Sequence, residues 1–134
     1  MIVDSSALVA ILAREPEAER FSELIIDADA VAIAAPTVLE TWIVLARFGT
    51  ALRTSLAQFL KEARIDVVAF DSDQLAVAQE AYRRFGRGSA HPAGLNFGDC
   101  ISYAAATVLH RPLLYKGDDF SHTDVLKIRP AEQE

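Results

Sequence analysis

Short apolar runs and stretches of helical period alternate along the chain. Met1-Ile2-Val3 ends abruptly in Asp4-Ser5-Ser6, and Ala7, Leu8, Ile11 and Leu12 follow at helical spacing. The pattern predicts a buried strand feeding directly into a helix over 5–13, which stops before Pro16. A second helix is expected over 17–28, with Ala18, Phe21, Leu24 and Ile25 on one face, and a buried strand over 31–35. Pro36-Thr37 opens a third helix carrying Val38, Leu39, Trp42, Ile43, Leu45 and Ala46, which ends at Gly49. Residues 53–64 read as a fourth helix and 67–70 as a strand. Asp71-Ser72-Asp73-Gln74 starts a helix running to Phe85, and 86–94 form a loop dense in glycine and proline. Asn96 to His110 is the last long helix. Strands are expected over 112–115 and 125–128, followed by a polar tail over 129–134 that frays.

Strands alternating with helices imply a parallel sheet built from right-handed crossovers, one α/β domain across residues 1–134. With 134 residues and 51% hydrophobic content the chain can bury a substantial core. The single cysteine, Cys100, excludes an internal disulfide and a thiolate zinc site, and points to the cytoplasm. No window approaches the ~18 apolar residues of a membrane span, and no signal peptide is evident. The formal charge of −6 argues against a binder that holds nucleic acid by a basic surface alone.

Distribution matters more than net charge. Asp4 follows the first strand, Glu40 falls in the first turn expected for the third helix, Asp99 begins the last long helix, and Asp118 and Asp119 follow the fourth strand. In a parallel sheet these positions share the carboxyl edge, where ligands bind. Each acid also has a capping explanation: Asp4 as an N-cap, Thr37 to Glu40 as a capping box, and Asn96 to Asp99 as a weaker one. Asp71 and Asp73 make the same pattern but are read as structural: if the strand order is 3-2-1-4-5, the third strand lies two places from the first, about 10 Å away. Two carboxylates ~4 Å apart repel by about 4 kcal/mol at an effective dielectric of ~20. A divalent cation relieves that repulsion, and an all-oxygen donor set suits Mg²⁺ or Mn²⁺.

The stretches "IVDSSALVA", "PTVLETW", "LNFGDCISYA" and "PLLYKGDDFSHTDV", in this order, resemble those of PIN-domain ribonucleases, and within them VapC-type toxins of bacterial toxin–antitoxin pairs. The resemblance implies a sheet of order 3-2-1-4-5, Mg²⁺-dependent cleavage of RNA, and a homodimer held inactive by a cognate antitoxin protein. It also implies metal ligation by Asp4, Glu40, Asp99 and a fourth acid, with Ser6 steadying the site. The family's usual Thr-x-Asp after the last core strand reads Tyr115-Lys116-Gly117 here, which displaces the fourth acid to Asp118 or Asp119. Asp118 is the preferred candidate.

Phosphate contacts are expected from Arg87 and Lys116, the cations nearest the rim. Arg83 and Arg84 read better as a solvated helix end. Two other function classes compete. A phosphohydrolase using an aspartyl nucleophile would typically show Asp-x-Asp after the first strand, where this chain has Asp4-Ser5-Ser6. In a non-catalytic interaction module, the acids would be caps alone.

Overall fold

A computed structural model describes residues 1–128; the frayed tail expected over 129–134 lies outside them. Five parallel strands, β1 (Ile2–Val3), β2 (Val31–Ala34), β3 (Ile65–Val68), β4 (Leu113–Leu114) and β5 (Lys127–Ile128), form one sheet in the order β3-β2-β1-β4-β5. Helices α1 (Ser5–Leu12), α2 (Ala18–Asp27), α3 (Ala35–Val44), α4 (Ala51–Glu62), α5 (Ser72–Phe85) and α6 (Phe97–Val108) connect them.

Alternation along the strands divides the core in two. Val3, Val31, Ile33 and Leu114 face one layer, with Leu8, Phe21, Ile25, Leu56 and Leu60 from α1, α2 and α4. Ile2, Ala32, Ala34 and Leu113 face the other, with α5 and α6. The small alanines of β2 leave room for α6, which is buried from Gly98 to Ala106. A helix that deep between the sheet and α5 holds its first turn rigidly at the sheet's carboxyl edge.

Two expectations need correction. The third strand is 65–68, not 67–70. Arg64 takes a left-handed φ of 55° and turns the chain straight out of α4 into Ile65. This strand lies on the sheet's edge, so Val67 stays 53% exposed while Val68 and Phe70 are only partly buried against the core. The third helix begins one residue earlier than Pro36-Thr37, directly off β2, and tightens into a 3-10 turn over Leu45–Phe48 before Gly49. Its buried side carries Thr37, Thr41 and Leu45, while Leu39, Trp42 and Ile43 point outward.

Candidate active site

The crevice opens where the winding reverses, between β1 and β4. Asp4 leaves β1 with its backbone N–H donated to Leu114 of β4 at 3.0 Å, so its position is set by the sheet. Its buried carboxylate is fully engaged. Oδ2 accepts from the Ser6 N–H at 3.0 Å and the Ser6 hydroxyl at 2.6 Å, and Oδ1 accepts from the Ser102 hydroxyl at 2.5 Å. Asp4 therefore caps α1 and faces the crevice at once, so capping and site geometry coexist. Ser6 does more than cap, since its Oγ also accepts from the Lys116 N–H at 2.9 Å and ties β1 to the chain after β4.

Asp99 sits at the third position of α6. Its Oδ2 accepts from the Asn96 N–H at 3.1 Å, and Asn96 Oδ1 accepts from the Asp99 N–H at 2.8 Å, a reciprocal capping box. Burial, a hydrogen bond from the Asp119 side chain and the charges of Asp4 and Asp119 push the Asp99 carboxyl up to about 8, against the pull of the Asn96 hydrogen bond. A hydrogen bond between two carboxyl groups needs a proton on one of them.

That contact places Asp119, rather than the preferred Asp118, beside Asp99. Asp118 is exposed at the head of a 3-10 turn over Asp119–His122 and makes no cap hydrogen bond. Gly117, at φ 100°, aims the turn.

Glu40 is deeper in its helix than expected. It is the sixth residue of α3, and the capping box proposed for Thr37 and Glu40 does not form, because no side chain caps this helix. The carboxylate instead lies against Gly98, where an added Cβ would fall 2.1 Å from Glu40 Oε2. Burial and the charge of Asp4 raise its pKa, and a Ser5 hydrogen bond acts the other way. Glu40 Oε1 is buried and has no hydrogen-bond partner among the described residues.

Of the expected phosphate contacts, Lys116 is otherwise occupied. Its ammonium pairs with Glu15 at 2.9 Å and Glu17 at 3.3 Å, clamping the turn after α1. Arg87 is exposed and lines an 830 Å³ cavity with Tyr82, Asn96 and Phe97, beside the first turn of α6. Arg83 pairs with Glu80, and Arg84 with Asp124, as solvated helix ends do. His91 accepts from the Ala93 N–H and packs edge-on against Phe85, which makes it a loop support. Ser102 was not anticipated. Its signal was a small hydroxyl one turn beyond Asp99 and hence on the same face.

The acids act on one another in a chain, Glu40 with Asp4, Asp4 with Asp99, and Asp99 with Asp119. Among the described residues no three His, Cys, Asp or Glu side chains form a closed ligand cage. The donor chemistry nevertheless fits a hard divalent cation. It is all oxygen, and it includes a buried carboxylate oxygen without a partner and a carboxyl that holds a proton well above its ordinary range. Mutual repulsion spreads such groups and recruits protons, and a cation would replace both effects.

An acid-lined crevice at the switch point of a five-stranded parallel sheet defines a doubly wound α/β domain with an oxygen-rich site. The chain belongs to the PIN-domain family, whose match covers residues 1–126, and within it to the VapC group. VapC ribonuclease Mb0640 of Mycobacterium bovis is 46% identical over 130 residues, covering 96% of this chain and 98% of that protein. Ribonuclease VapC of Mycolicibacterium smegmatis is 46% identical over 129 residues, covering 96% and 99%. Among solved structures, Mycobacterium tuberculosis VapC20, described as a Sarcin-Ricin loop cleaving toxin, superposes with a TM-score of 0.78 at 21% identity, covering 96% of this chain and 98% of that one. VapBC2 from Rickettsia felis, bound to a DNA fragment from its promoter, gives 0.73 at 12% identity, covering 95% and 96%. These two likenesses concern the fold. No helix among the described residues is long and apolar enough to cross a membrane.

Proposed function

We propose that this protein is a Mg²⁺-dependent endoribonuclease of the cytoplasm, the toxin of a toxin–antitoxin pair, with Mn²⁺ able to substitute. The observation that carries the reading is the run of interacting acids at the switch point, from Glu40 through Asp4 and Asp99 to Asp119. The names of the VapC relatives give the substrate class, RNA, and the antitoxin partner follows from the VapBC complexes of the same fold.

Asp4, Asp99, Glu40 and Asp119 would hold the cation, with Asp118 close by in the chain. When bound, Mg²⁺ would neutralise charge on the scissile phosphate and make water a better nucleophile. The protein's own groups set up that chemistry. Ser6 and Ser102 donate to both oxygens of Asp4 and fix its orientation. Asn96 fixes the orientation of Asp99, whose raised pKa a bound cation would offset. Arg87 would meet the RNA backbone beside the rim, while Lys116 braces the turn through Glu15 and Glu17. Outward-facing Leu39, Ile43 and Phe97, at 57%, 56% and 81% exposure, offer an apolar face that a homodimer would cover.

Purified, antitoxin-free protein should cut RNA with Mg²⁺ or Mn²⁺ and stop with EDTA. Asp99→Asn should be inert. Cleavage that persists in EDTA or in that variant would refute the reading.

A further inference from the structure

Glycine is the poorest helix former after proline, yet Gly98 occupies the first turn of α6, immediately before Asp99. Backbone geometry does not require it. The glycines with left-handed φ are 49, 88, 94 and 117, and Gly98 is not among them. What Gly98 supplies is the space of a missing methyl group. A Cβ there would come within 2.1 Å of Glu40 Oε2 and 2.6 Å of both its Cδ and Oε1. These atoms are not the free tip of a solvated side chain. Glu40 is half-buried, its Oε1 has no partner among the described residues, and its carboxyl lies against Gly98 and feels the like charge of Asp4.

We propose that Gly98 is a positioning residue: by lacking a Cβ it seats the Glu40 carboxylate of α3 against the first turn of α6, next to Asp99. The inference rests on the proposed cation site. Gly98 then does for Glu40 what Ser6 and Ser102 do for Asp4, through an empty volume in place of a hydrogen bond. It also explains how an acid from the second turn of α3 reaches acids that belong to β1 and α6.

Four proteins test this: the parent, Gly98→Ala, Glu40→Ala and the double variant. In EDTA, Gly98→Ala should lower the melting temperature of the parent by roughly 5–10 °C, the scale of a tight core clash in a domain of this size. In the Glu40→Ala background the same change should be neutral or stabilising, because the clash is gone and alanine is the better helix former. Mn²⁺ titration followed by electron paramagnetic resonance supplies a second readout. Gly98→Ala should weaken Mn²⁺ binding at least ~10-fold in the parent, and should change it little once Glu40 has been removed.

Equal thermal losses in both backgrounds would show that glycine serves the backbone and would overturn the proposal. So would unaltered Mn²⁺ affinity in Gly98→Ala. Should that single variant not fold, the double variant must still melt no lower than Glu40→Ala, and a lower value counts against the proposal. A parent that binds no Mn²⁺ would defeat the cation reading, and the positioning role with it, even where the thermal coupling is present.

Discussion

Removing divalent cations should make this protein's stability fall as pH rises, through Asp99. The Asp99 carboxyl is raised from 3.8 to about 8 by burial, by its bond with Asp119 and by Asp4. In the unfolded chain it titrates at an ordinary acid value. A group whose folded pKa is raised contributes its stability in full below the unfolded value and loses it as pH climbs through the folded value. The window therefore runs from about pH 4 to about pH 8. At ~1.4 kcal/mol per unit the full displacement sets a ceiling near 6 kcal/mol. Asp119, beside it, is exposed and solvent screens the interaction, so about 2–3 kcal/mol is the expected loss, or roughly 10 °C in melting temperature. Thermal unfolding in EDTA across pH 5–9 measures it. Asp99→Asn cannot ionise and should flatten the slope. Saturating Mg²⁺ should stabilise the parent more at pH 8 than at pH 5.5, because protons compete with the cation. A parent melting temperature independent of pH, or an identical slope in Asp99→Asn, would refute the reasoning.

Other variants separate the roles of neighbouring groups. Asp119→Asn should weaken Mg²⁺ binding and RNA cleavage by at least ~10-fold, while Asp118→Asn stays near the parent, and kinetics on one RNA decides between them. Ser102→Ala removes the donor to Asp4 Oδ1 and should weaken Mg²⁺ affinity by ~10–100-fold in calorimetric titration, the usual effect of losing a ligand's hydrogen-bonding partner. Lys116→Ala breaks partly exposed pairs and should cost at most ~1 kcal/mol, leaving the salt dependence of RNA binding unchanged. Arg87→Ala should reduce that salt slope by about one, read from binding isotherms at several salt concentrations.

The order of strands and helices was legible because each buried strand is a short apolar run and each helix a periodic one. Strand order then followed from the family resemblance and placed Asp4 and Asp99 correctly. Asp71 behaved as the expected control, accepting from the Gln74 N–H at 2.9 Å as a cap, two strands from β1. The misread positions share a cause: local signals were overridden by contacts distant in sequence. Thr37 looked like a helix cap, but α3 starts straight off β2 and carries Thr37 inside, so Glu40 moved a turn deeper. Leu39, Trp42 and Ile43 are the apolar residues of α3, yet the side that packs inward is the threonine side. The choice between Asp118 and Asp119 depended on how Gly117 turns the chain, which no pattern of residue types reveals. Lys116 seemed free because Glu15 and Glu17, its partners, lie about a hundred residues away.

Mn²⁺ binding to parent and Asp4→Asn protein, compared by calorimetry under one set of conditions, tests the central claim most directly. Asp4 interacts with both Glu40 and Asp99, so the parent should bind Mn²⁺ and the variant should lose most of that affinity. Equal affinity in the two proteins would mean that these acids do not act together on a cation.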